Sequence, residues 1–268
     1  MPLKTEAIST NIQFEFVNGL IIIQADIDGT YGNYIFDTGA DAIILNDNNK
    51  NGKLVHFSSI LGELNAYQVR VNEIRVGNLE VHKLDAFISD LSSIENFTNR
   101  KIHGILGGNV FIPHSVELNF YTKTFIISDK KVNNFDLGFR KFLEFDTKLG
   151  IPVAKIQIGE KTYAFILDSG ATCHFISKKI RKNHPDLFFN TGESVNVLTA
   201  EEKDEIGYKY FLEQLPLSKG YLNNLKFTAI DFDVFADDQT IKIDGILSLT
   251  KLGASKMVLD LDRNIVYF

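Results

Sequence analysis

The chain has 268 residues, 44% of them hydrophobic and 23% charged, with a formal net charge of -6 at pH 7. That is an ordinary globular balance, enough for one large domain or two small ones, each with a core of its own. It disfavours nucleic acid, which needs a basic face; no apolar run approaches the ~18 residues of a membrane helix, and Cys173 as the only cysteine excludes an internal disulfide.

Along the chain, Met1 to Glu6 lacks the apolar core of a signal peptide. The compartment stays open between the cytoplasm and export behind a leader. The first strand signal is Gly19-Leu20-Ile21-Ile22-Ile23. A turn at Asp28-Gly29-Thr30 leads into Tyr34-Ile35-Phe36, which ends in Asp37-Thr38-Gly39-Ala40. Another short strand, Ile43-Ile44-Leu45, follows. Asp26 and Asp28, spaced i, i+2, read as lining a solvated face. Asp47 to Gly52 fits the first half of a calcium loop, but its twelfth position is Ser58 where a bidentate Glu is required. A polar hairpin loop is the better reading, and no metal or cofactor is expected. Further on come Ile102-His103-Gly104-Ile105-Leu106-Gly107, a short helix near Gly107 to Phe111, and a hairpin from Val116-Glu117-Leu118-Asn119-Phe120 to Phe125-Ile126-Ile127. The polar, aperiodic stretch from Asp129 to Arg140 reads as a boundary.

Beyond it the chain repeats itself. An offset of 131 carries Asp37 onto Asp168, and Gly19–Ile23 onto Gly150-Ile151-Pro152-Val153-Ala154. The second copy reads Phe165-Ile166-Leu167-Asp168-Ser169-Gly170-Ala171, followed by His174-Phe175-Ile176. An offset of 141 then carries Gly104 onto Gly245 within Ile243-Asp244-Gly245-Ile246-Leu247-Ser248, and the first closing hairpin onto Met257–Leu261 and Val266-Tyr267-Phe268. Some ten extra residues therefore lie between the two motifs of the second copy. A helix is expected from Ser177, as its cap, to Leu187. The two halves are assigned as residues 1–131 and 132–268, both rich in short strands.

A single Asp-(Ser/Thr)-Gly would be a weak signal, since Asp and Gly favour turns. Two copies, each closing a buried strand and each followed by Ala, carry chemistry. One lone carboxylate at the end of such a strand is costly. A pseudo-twofold axis between the halves would bring two together, able to share one proton. One could then act as base on a water while the protonated partner polarises a carbonyl.

These motifs resemble the pepsin and retropepsin superfamily of aspartic proteases, and closest of all the retropepsin-like bacterial proteins with both lobes in one chain. The matching residues are Asp37-Thr38-Gly39-Ala40 with Ile102–Gly107, and Asp168-Ser169-Gly170-Ala171 with Ile243–Leu247. The resemblance covers nearly the whole chain. It implies a mostly all-β, bilobal, pepsin-like fold of two pseudo-twofold-related β-barrel-like lobes with a few short helices. It implies an aspartic endopeptidase with Asp37 and Asp168 catalytic, supported by Thr38, Gly39, Ser169, Gly170, Gly104 and Gly245. A peptide or protein substrate and activity as a monomer are implied, with no nucleic acid and no membrane span. The alternative is an inactive peptide-binding protein that kept the fold. Ser248, where the family has Gly, is expected to weaken the support in lobe two. The family's flap hairpin is sought at Ile60–Tyr67 and Val195–Ala200, with Tyr67 as a candidate substrate contact. Ala40 and Ala171 carry no hydroxyl to hydrogen-bond a carboxylate, so the pH optimum should be less acidic than pepsin's. His103, His174 and Cys173, beside these motifs, read as packing residues, Asp231 and Asp233 as a solvated face, and Lys178–Lys182 as a solvated basic one.

Overall fold

A computed structural model describes residues 9–47, 52–59, 62–129, 139–198, 204–231 and 242–268. Both halves start with a hairpin set by turn chemistry. In lobe one, β1 (Ser9–Val17) turns through Asn18-Gly19 into β2 (Leu20–Ile27), which turns through Asp28-Gly29 into β3 (Thr30–Asp37). All four turn residues have positive φ, from 47° to 94°, as a two-residue turn matching strand twist requires. In β3, consecutive Tyr34, Ile35 and Phe36 are buried, because neighbouring strands and side chains cover both of its faces.

Lobe one continues through β4 (Ile43–Asn46), β5 (Lys53–Ser59), β6 (Gly62–Val76), β7 (Leu79–Ser89), helix α1 (Ser92–Thr98), β8 (Gly104–Gly107), a 3-10 turn at Gly108–Phe111, β9 (Ser115–Asn119) and β10 (Thr124–Ser128). After β11 (Phe142–Glu144), the second half gives β12 (Val153–Ile158), β13 (Lys161–Asp168), β14 (His174–Ser177), helix α2 (Lys178–Asn183), β15 (Phe189–Leu198), β16 (Asp204–Pro216), β17 (Tyr221–Ile230), β18 (Gly245–Ser248), a 3-10 turn at Leu249–Lys251, β19 (Lys256–Asp260) and β20 (Ile265–Tyr267). The mostly β, bilobal architecture expected from the motifs is present. The expected boundary at 131/132 lies outside the described residues.

Three local outcomes differ from expectation or sharpen it. Ser177 caps α2 by accepting the Lys179 N–H at 3.2 Å, yet the helix stops at Asn183 and not at Leu187. His184 precedes Pro185, which pushes it out of the helical region. The predicted turn of helix near Gly107 to Phe111 is 3-10. Helix α1 had no sequence prediction; Asp90 Oδ1 accepts the Ser92 N–H at 2.8 Å at its start, and Asn99 closes it in the left-handed conformation.

One sheet has the order β12-β13-β18-β14-β17-β16-β15, the other β11-β20-β19-β9-β10-β1-β2-β3-β8-β4-β7-β6-β5. The halves join where β9 pairs antiparallel with β19, Leu118 opposite Met257; both side chains are fully buried. What positions the site is a shared crossing. β8 runs parallel to β3, Asp37 opposite Gly107, and antiparallel to β4. β18 does the same between β13 and β14, Asp168 opposite Ser248. The inserted strand forces the flanking pair apart, and the segment joining them must arch over its end. Gly104 and Gly245 permit this threading. A Cβ on Gly104 would lie 2.3 Å from the Ile44 carbonyl oxygen, and one on Gly245 2.3 Å from the Phe165 ring.

Candidate active site

Each arch carries one Asp-(Thr/Ser)-Gly-Ala, and the two arches interlock. Thr38 Oγ1 donates to the Leu167 carbonyl at 2.7 Å and accepts the Ser169 N–H at 3.0 Å. Ser169 Oγ donates to the Phe36 carbonyl at 2.9 Å and accepts the Thr38 N–H at 3.0 Å. Both hydroxyls are wholly buried. Each therefore ties its own turn to the strand end of the opposite lobe, and the four bonds form a closed reciprocal set. Buried hydroxyls and amides need such partners, and these span the lobe interface.

The interlock presses each glycine against the other lobe's acid. A Cβ on Gly39 would come within 2.6 Å of Asp168 Cγ, and one on Gly170 within 2.4 Å of Asp37 Cγ. Only glycine leaves that room. The carboxyl groups of Asp37 and Asp168 share a hydrogen bond. Gly39 N–H donates to Asp37 Oδ1 at 2.8 Å. Asp168 Oδ1 accepts two amides, Gly170 at 2.6 Å and Ala171 at 2.9 Å.

Electrostatics separate the pair. Burial raises both acids above the ordinary carboxylate range. For Asp37 the hydrogen bond from Asp168 and the amides of Gly39, Gly170 and Ala40 pull back against that rise. For Asp168 the neighbouring Asp37 charge and their shared hydrogen bond add to it, so Asp168 lies well above. Like charges this close do not both ionise readily. The pair therefore tends to hold one proton between them, and Asp168 Oδ1 is occupied by two amide donors.

Behind the turns the lobes differ. A Cβ on Gly107 would lie 2.6 Å from the carbonyl oxygens of both Ala40 and Ala42. Its counterpart Ser248 has a side chain, and its hydroxyl donates to the Ala171 carbonyl at 2.6 Å. The expectation that Ser248 weakens the support is thus reversed: it adds a bond. The buried His174 accepts the Ser248 N–H on Nδ1 at 3.0 Å, and burial lowers its pKa to about 4. His103 accepts the Asn33 N–H on Nδ1 at 3.1 Å, a role that Asp244 repeats by accepting the Ala164 N–H at 3.1 Å.

A cavity of about 320 Å³ opens beside the acids, lined by Leu20, Ile35, Asp37, Ile94, Phe97 and Ile105 among others. Helix α1 supplies Ile94 and Phe97, which the motifs do not disclose. The available signal is local: Asp90, Ser92 and Glu95 around a short apolar pattern. Tyr67 is not among the residues lining this cavity. It sits half-buried in the β5–β6 hairpin, opposite Leu54 and Ile88. The segments sought as flaps fall in that hairpin and in β15–β16; their connecting residues 60–61 and 199–203 lie outside the described residues.

The remaining sequence candidates have structural roles. Asp28 accepts amides of Asn72 and Glu73 at 2.9 to 3.1 Å, fastening β6 to the β2–β3 turn, and Asp26 accepts the Gly29 N–H at 2.9 Å. Asp231 pairs with Lys178 at 3.0 Å, and Asp233 lies outside the described residues. Arg181 stacks over Tyr210 at 5.3 Å. Burial pushes the Cys173 thiol up, opposite to what a nucleophile needs. Residues 48–51 of the calcium-like stretch lie outside the described residues.

Residues 23–110 match a family model described as aspartyl protease, a span holding the Asp37 turn and β8. No curated protein matches the sequence. Among solved structures, the aspartic proteinase from Irpex lacteus aligns over 97% of this chain and 96% of its own, with a TM-score of 0.55 at 12% identity. That second likeness is one of fold. Together the two bear out the resemblance to the aspartic protease superfamily.

Proposed function

We propose that this chain is an aspartic endopeptidase that hydrolyses peptide bonds with a water activated between Asp37 and Asp168. The observation that carries the reading is the pair itself: two carboxyl groups, remote in sequence, sharing a hydrogen bond at a seam locked by Thr38 and Ser169. Asp37, the more acidic member, takes the proton from the water. Asp168 holds the shared proton and presents it to the scissile carbonyl, where negative charge develops. No covalent intermediate forms. Both acids come from one chain, so a monomer suffices.

The substrate is a peptide or protein segment bound in extended form between the hairpins, held by backbone hydrogen bonds as an added strand. The cavity beside Asp37 favours a large apolar side chain next to the cleaved bond.

A peptide library cleaved by the wild type, Asp37→Asn and Asp168→Asn tests this. Each variant should lose at least about 1,000-fold in kcat/KM. Undiminished turnover in both would reject the mechanism; binding of peptides without cleavage by the wild type would leave a peptide-binding protein.

A further inference from the structure

We propose that Ser248, backed by His174, is a positioning residue that aims the Ala171 amide at Asp168 Oδ1 and so favours the charged form of that carboxyl against its burial. This rests on the reading above and adds a role for the layer behind the turn. The chain of contacts is continuous. His174 on β14 accepts the Ser248 N–H at 3.0 Å, which sets the end of β18. Ser248 Oγ, wholly buried, donates to the Ala171 carbonyl at 2.6 Å. Ala171 N–H donates to Asp168 Oδ1 at 2.9 Å. Residue 171 is thus held on both of its peptide groups, and its amide is aimed at one particular oxygen. Thr250 Oγ1 lies 3.2 Å from the same hydroxyl and fixes its rotor.

Lobe one has no such brace. Gly107 stands where Ser248 does, and Ile43 where His174 does. The Ala40 amide is divided between the Asp37 main-chain oxygen, at 3.3 Å, and the Asp37 carboxyl, whereas the Ala171 amide reaches its carboxylate at 2.9 Å. A side chain at Gly107 would collide with the Ala40 carbonyl, so the brace cannot be copied there without moving the strand. The histidine is suited to this place. Burial keeps the ring neutral down to about 4, and a neutral ring offers the unprotonated Nδ1 that the Ser248 amide needs.

With two amide donors held on Oδ1, a proton carried by Asp168 sits on Oδ2. Asp37 is the titratable group that faces Asp168 across the interface. Cys173, His174 and the Lys251 ammonium lie behind the brace, Lys251 acting on the other two. Loosening the brace weakens an amide bond that favours the charged form of Asp168. The pair's upper pKa therefore rises, and the alkaline limb of the activity profile moves to higher pH.

The experiment compares wild type with Ser248→Ala and Ser248→Gly. Two readouts are used: a pH–rate profile on one peptide, and a carboxyl carbon titration of 13C-aspartate-labelled protein, with Asp168→Asn identifying the resonance. The expected result is kcat lower by about tenfold with KM nearly unchanged, an alkaline limb displaced upward, and a matching upward displacement of the Asp168 titration. The resonance titrates whether or not the protein cleaves peptides. A shifted titration in a protein that cleaves nothing would keep the brace and reject the peptidase. Variants that only melt earlier, with wild-type kcat, pH limbs and titration when folded, would overturn the brace.

Discussion

The two acid-bearing turns repeat in sequence and differ in support. Around Asp37 the strand behind the turn ends in Gly107, which touches the arch without bonding to it through a side chain. Around Asp168 it ends in Ser248, whose hydroxyl and amide tie the arch to a buried histidine. Asp168 is 8% exposed, while Asp37 is half-buried beside the apolar cavity and helix α1. A pseudo-twofold axis can bring identical acids together, but it cannot make one of them acid and the other base. Division of labour requires asymmetry in what surrounds them, and the layer behind the carboxylates differs between the lobes.

The glycines offer the most direct challenge to this contrast. Gly39→Ala and Gly170→Ala each put a methyl group against the opposite acid, and each should cost about 100-fold in kcat/KM. If either variant keeps full turnover, the acids are not as close as described. The interlock should be the symmetrical part. Thr38→Ala and Ser169→Ala each delete one donor and one acceptor in equivalent bonds. Urea unfolding should show each losing about 1–3 kcal/mol, and by closely similar amounts; clearly unequal losses would locate the asymmetry in the seam itself.

Titration separates the lobes further. Both acids are raised by burial, and neither Ala40 nor Ala171 offers a hydroxyl to pull them down. Activity should therefore persist into less acidic solution than for pepsin; a profile peaking at roughly pH 2 would contradict this. The smallest effect concerns stability. A carboxyl whose pKa is raised on folding binds its proton more tightly folded than unfolded, so stability falls as pH rises above the ordinary value of 3.8. Asp168→Asn removes that loss. The inactive variant should melt a few degrees above wild type near neutral pH, and the difference should vanish as the pH falls to the ordinary carboxylate range. A constant difference across that window would mean that the charge of Asp168 is not a burden on the fold.

Much of this is legible along the chain. The repeat at Asp37 and Asp168, the supporting segments around Gly104 and Gly245 and the two closing hairpins all recur at constant offsets. Each states a local requirement: an apolar strand, a tight turn, a glycine where backbones cross. Helix α1 escapes such a reading because its seven residues carry too short a pattern. The early stop of α2 does have a local cause, Pro185, which outweighs the helical pattern running on to Leu187. Ser248 misleads because, as a departure from a motif, it suggests loss. Only the path of β18 beside the Ala171 carbonyl turns its hydroxyl into a support.

Which residues could do chemistry here is written in the chain, because strand periodicity, turn preference and duplication are properties of neighbours along it. Whatever depends on residues more than a hundred positions apart came from the tertiary structure. It set the four bonds between Thr38, Ser169 and the opposing strand ends, the glycine faces against the opposing acids, and the raised pKa of both acids. Those are matters of distance and desolvation, and neither exists until the two halves have closed on each other.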